Sequence, residues 1–81
     1  MAEDLRALVV EVLAGIAPDA TEVDLDPSRS LREQLDLDSL DFLAYVERLS
    51  ERTGHPVPED DYPSVDTLDG AVAMLAGPRA G

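Results

Sequence analysis

LDSLDFLAYVERLSERTG, residues 37–54, is the stretch whose periodicity settles how this chain folds. At 100° per residue, Phe42, Tyr45, Val46 and Leu49 gather on one side, with Leu43 at the rim. Leu40, Ala44, Glu47 and Glu51 take the opposite side. Asp38 is a strong N-cap residue, Asp41 three positions on is its loose reciprocal partner, and Gly54 is a usual C-cap. The expected element is a helix from about Asp38-Ser39 to Thr53, one face apolar and in need of other helices. It leaves Leu40 on the solvent face. A single exposed Leu is ordinary; this one stands beside a serine at a helix start.

Working outward, Leu5, Leu8, Val9, Val12 and Ile16 recur at three- and four-residue steps, with Leu13 at the edge of the stripe. Glu3 and Asp4 suit the positive end of a helix dipole, and Pro18 pushes its predecessor out of helical geometry. A first helix is expected over about 3–16. Residues 17–37 form a long connection rich in Asp, Pro and Ser, with Val23, Leu25, Leu31 and Leu35 as core anchors. Loops of that length are uncommon in small domains and are usually functional or partly ordered. Ser30-Leu31-Arg32-Glu33 matches a capping box, so one helical turn is expected near 31–35. Pro56, Pro58 and Pro63 limit any helix around 59–62 to one turn. A last helix is expected from Asp66, as N-cap with Asp69 following, to about Ala76, its stripe made by Val65, Leu68, Val72 and Leu75. Gly70 weakens it by about 1 kcal/mol against Ala. No strand-like alternation or repeat is present. The fold class is therefore all-α, a small bundle of three main helices plus short one-turn helices. One domain spans 1–81, with its core at about 3–76 and a frayed tail at 77–81.

Composition narrows the function. An 81-residue chain exposes roughly 4,700 Å² when folded and roughly 12,600 Å² when open, which allows one thin core. A separate catalytic cleft would be cramped. Six Arg, no Lys and eighteen acids give a net charge of −12. Nucleic acid and anionic lipid are thereby disfavoured, and a partner with a basic face is favoured. The acids lie in two blocks: residues 19–41 sum to −6, and 59–69 carry five acids and no base. Without Cys there is no disulfide, no thiolate metal site and no thiol nucleophile. No apolar run reaches membrane-spanning length and no basic-then-apolar leader opens the chain, so the cytoplasm is the expected address.

Three acidic patterns invite chemistry. Residues 24–30 place Asp24, Asp26, Ser28 and Ser30 at alternate positions like the start of an EF-hand loop. Arg29 stands where that loop needs Gly, and Leu35 where it needs a bidentate Glu. Asp36-Leu37-Asp38 resembles a phosphoaspartyl pair but lacks the preceding buried strand. Leu37-Asp38-Ser39-Leu40-Asp41 puts a hydroxyl at the positive end of a helix, where free amides and the dipole favour an anion. On the tripeptide alone, a plain helix cap made by Asp38 and Ser39 is the favoured reading over an anion site. His55, between Gly54 and Pro56 with no second His or Cys, reads as a surface loop residue, and Arg48 with Glu51 as a solvated face.

With this pentapeptide in register, residues 5–76 resemble the acyl carrier protein family. The likeness rests on the first amphipathic helix, Leu31 and Leu35 in the long loop, the serine motif, Gly54, Val57-Pro58 before an acidic turn, and Thr67-Leu68. It implies a carrier rather than an enzyme. Ser39 would bear 4′-phosphopantetheine, transferred from coenzyme A by a phosphopantetheinyl transferase, and the arm's thiol would hold acyl or aminoacyl groups as thioesters. Loading ligases, synthases and transferases with basic patches would read Asp38, Leu40, Asp41, Leu43 and Glu47. No metal, nucleic acid or membrane partner is implied, and the carrier is expected to be monomeric. The competing reading is a non-carrier acidic module that binds calcium or docks to a protein. Two features depart from the family. Asp36 stands where Gly is common three residues before the serine, and Asp tolerates the left-handed conformation better than most. Residues 42–58 are neutral, which favours a dedicated set of partners over a housekeeping fatty-acid role. Phe42 and Tyr62 read as core filling, with narrowing of an internal acyl cavity as the alternative.

Overall fold

A computed structural model of the chain describes residues 2–22 and 24–76. Three main helices, α1 (Ala2–Ala14), α3 (Ser39–Thr53) and α5 (Leu68–Ala76), surround one hydrophobic core. Between them lie two one-turn helices, α2 (Leu31–Gln34) and α4 (Tyr62–Val65), and two 3-10 turns, Pro18–Thr21 and Glu59–Asp61. No strand occurs among the described residues. The expected anchor Val23, the Gly77-Pro78 stop and the expected frayed tail lie outside the described residues.

The helix on which the sequence reading rests is found as expected. Phe42, Tyr45, Val46 and Leu49 are its buried residues, and Gly54 closes it at φ 67°, donating its N–H to the Ser50 carbonyl. α1 stops at Ala14, two residues short of expectation. The Ile16 N–H bonds the Leu13 carbonyl three residues back, so the last turn tightens before Pro18 forces Ala17 into an extended conformation. Its buried centre is Val9, Val12 and Leu13; Leu13 is therefore central rather than marginal, while Leu8 and Ile16 are half-buried flanks.

The C-terminal third departs further. The turn at 59–61 runs directly into α4, so helical geometry extends over 59–65 instead of one turn. Pro63 is tolerated because it sits in the first turn of α4, where an N–H has no intrahelical acceptor. α5 begins at Leu68, not just after Asp66: the Thr67 hydroxyl accepts the Gly70 N–H at 3.0 Å and serves as the cap. Its deeply buried residues are Leu68 and Ala71, with Val65 from α4, whereas Val72 and Leu75 are only half-buried. α1 packs against both α3 and α5, and α4 against α5.

Asp66, freed from capping, ties the long loop down. The Leu31 N–H donates to its carbonyl at 2.6 Å, the Ser30 hydroxyl to its Oδ2 at 2.7 Å and the Arg32 N–H to its Oδ1 at 3.1 Å. The Asp69 N–H adds a bond to the Pro27 carbonyl at 3.0 Å. Leu25, Leu31 and Leu35 are buried as expected, joined by Leu37 and Ala20.

Candidate functional site

The serine segment is shaped by two local devices. Asp36 takes φ 53°, the left-handed geometry expected of it, and turns the chain out of the loop. Asp38, extended at φ −85° and ψ −177°, then caps α3, its Oδ1 accepting the Asp41 N–H at 2.8 Å. Ser39 is the first helical residue and is exposed. No group among the described residues hydrogen-bonds its hydroxyl. The Ser39 and Leu40 amides, at the helix start, have no intrahelical carbonyl to bond.

Beside Ser39 lies an open groove of about 350 Å³ between α3 and the α4 segment, its wall formed by Phe42, Leu43 and Tyr62, with Arg32 and Asp66 at its edge. Phe42 and Tyr62 meet edge to face at 6.0 Å, and Phe42 and Tyr45 are tilted at 5.8 Å. Beneath them the buried Tyr45 hydroxyl donates to the Val65 carbonyl at 2.8 Å, locking α3 to α4. Burial pushes the Tyr45 phenol up, and the charge of Asp66 adds to the shift. Phe42 thus both fills core and lines the groove.

Of the other residues singled out in the sequence, Leu40 is 76% exposed and Leu43 39% exposed. With Glu47 they follow i, i+3, i+7 spacing and so share one outer strip of α3. Asp38 is exposed and Asp41 half-buried, joined by the cap. Arg32, which the sequence offered only as part of a capping box, reaches the groove: its guanidinium lies 5.3 Å from the centre of the Phe42 ring. Ser30 does accept the Glu33 N–H at 3.3 Å. Nothing local in the sequence announces that Arg32, seven positions before Ser39, comes to the same groove.

The EF-hand-like stretch is organised differently. Asp26 Oδ1 accepts both the N–H and the hydroxyl of Ser28, at 2.9 and 2.8 Å, and Gln34 brackets the turn through the Asp26 N–H and carbonyl. The Ser28 N–H first, then its hydroxyl, hold the Asp26 carboxyl below its usual range, with Arg29 contributing less. Among the described residues no three His, Asp or Glu side chains gather as a metal site. His55 is half-buried, not a free surface residue, its Nδ1 3.1 Å from the Pro56 carbonyl. Arg52 of α3 and Glu11 of α1 form an exposed ion pair at 3.4 Å, and such pairs add little.

An exposed, unengaged hydroxyl at a helix start fits a phosphate ester, because free amides and the dipole receive the anion without burying it. A family model described as a phosphopantetheine attachment site matches residues 3–75 of this geometry's chain. The chain belongs to the acyl carrier protein family. An acyl carrier protein of Renibacterium salmoninarum is 28% identical over 96% of this chain and 95% of its own length. One from Acidothermus cellulolyticus is 32% identical, covering 82% and 86%. One from Beutenbergia cavernae is 31% identical, covering 86% and 93%. A carrier of this family is not an enzyme. It holds a covalent 4′-phosphopantetheine group, whose thiol supplies the thioester chemistry that a chain without Cys lacks. Such a carrier is acted on by a phosphopantetheinyl transferase and by biosynthetic enzymes. The non-carrier acidic module has no support from these relatives. No helix among the described residues is long and apolar enough to cross a membrane.

Proposed function

We propose that Ser39 is the attachment point of the arm, and that the chain is a single carrier domain delivering acyl or aminoacyl thioesters from one enzyme to the next. The observation that carries this reading is the Ser39 hydroxyl itself, exposed and unbonded on the first turn of α3. Enzymes must reach that oxygen to load it, and the arm must swing from it. A buried or bonded serine would permit neither.

Partner enzymes with basic faces dock on the edge around the serine. Leu40 supplies its apolar centre, with Leu43 and Glu47 along the same strip and Asp38 and Asp41 at the helix start. An apolar anchor contributes affinity, while the acids chiefly speed and orient encounter. The near-neutral balance of residues 42–58 favours a dedicated partner set. The chain works as a cytoplasmic monomer, without nucleic acid or membrane partners, in keeping with its charge of −12.

Intact-mass measurement after incubation with coenzyme A and a broad-specificity phosphopantetheinyl transferase tests the reading. The wild-type chain gains one phosphopantetheine mass and Ser39→Ala gains none. A gain that survives Ser39→Ala overturns the assignment.

A further inference from the structure

Attaching a phosphodiester to Ser39 adds negative charge to a neighbourhood that already holds Asp36, Asp38 and Asp41. The groove beside the serine contains one device that offsets this. Arg32 lines it together with Ser39, and its guanidinium rests 5.3 Å from the centre of the Phe42 ring. Asp66 shares the groove, but its carboxylate is occupied by the Ser30 hydroxyl and by the Arg32 backbone N–H. No carboxylate among the described residues lies within ion-pair distance of the Arg32 side chain. Arg32 also borders a neighbouring hollow with Glu33, Asp36 and Asp66, but its guanidinium lies over the Phe42 ring that walls the serine's groove and forms no ion pair with a carboxylate among the described residues. Its planar fork of N–H donors matches phosphate oxygens two at a time.

We propose that Arg32 is the anion-binding residue of this groove and that it holds the phosphodiester of the arm, which sets the direction in which the arm leaves Ser39. The proposal rests on attachment at Ser39. Charge complementarity selects the phosphodiester as occupant: it is bonded directly to the Ser39 oxygen and carries its charge with every cargo, loaded or not. Phe42, Leu43 and Tyr62 then receive the apolar part of the arm or the first atoms of the cargo.

The test compares apo and holo protein by nuclear magnetic resonance, with intact mass recording the conversion. The Arg32 side-chain Nε–H signal is expected to shift on conversion to the holo form, before any cargo is loaded. The ³¹P resonance of holo Arg32→Gln is expected to differ from that of wild type, with Arg32→Lys between them. Arg32 is exposed, so both variants keep a dispersed amide spectrum. An Nε–H signal unmoved by conversion overturns the proposal. So does a shift that appears only with a carboxylate-terminated acyl group such as glutaryl and not with the free thiol arm, because the anion is then the cargo's. A chain that gains no mass fails the attachment reading and this proposal with it; a mass gain with an unmoved signal fails this proposal alone.

Discussion

Tyr45 is fully buried, and its hydroxyl holds α3 to α4 through the Val65 carbonyl. Replacing it with Phe keeps the ring and strands the carbonyl, which costs about 1–2 kcal/mol in urea unfolding at neutral pH. A pH dependence follows. The folded protein raises the phenol's pKa above its ordinary value of 10.0, through burial first and the charge of Asp66 second. That contribution is fully present below pH 10, declines above it, and is lost as pH rises through the folded value. Tyr45→Phe should therefore show a shallower alkaline decline above about pH 10 than wild type in the same titration. Single residues differ in how much of this is legible in sequence. Asp36 is readable, because its left-handed turn is a property of the residue and its neighbours. Asp66 is misread: its acid-then-acid spacing looks like a cap, and only the folded chain reveals that Ser30 and Arg32 claim its carboxylate.

Among the elements, α3 could be read almost residue for residue, since its cap, stripe and stop are all encoded within residues 38–54. α5 could not. Its start is fixed by the Thr67 hydroxyl and by how closely α4 approaches it. Gly70 records that approach. In sequence it is a weakness of helix propensity; in the structure a Cβ at this position would overlap the Ser64 carbonyl oxygen and crowd the Thr67 hydroxyl. Gly70→Ala should accordingly destabilise the protein, reversing the gain of ~1 kcal/mol that propensity alone assigns. The expected net loss is about 1–3 kcal/mol, read from thermal or urea melts. The groove beside Ser39 escapes the sequence for a related reason: Arg32 and Tyr62 stand 30 residues apart and are brought together by the packing of α2 and α4 rather than by any motif.

Across the whole molecule, a charge of −12 acts in two opposite ways. It repels itself in the folded state and, on the proposed docking reading, draws in basic partners; salt screens both effects over a distance that shrinks from ~10 Å at 0.1 M to ~3 Å at 1 M. Raising NaCl should lift the melting temperature while slowing phosphopantetheine transfer several-fold, measured on the same sample. A transfer rate indifferent to salt would remove the acids from docking. The net charge was plain from composition, but the proposal of a steering edge apart from a solvated remainder needed the exposed strip of α3. The tie between the long loop and Asp66 also has a consequence in time. Ser30 and Asp66 are separated by 36 positions, so the loop cannot reach its native hydrogen bonds until the chain through residue 66 has been made and folded back. Tyr62, Pro63 and Asp66 line the groove with Arg32, so the groove cannot form before those residues are present. On a growing chain Ser39 is made before the residues that wall its groove, so the C-terminal third is what completes the site.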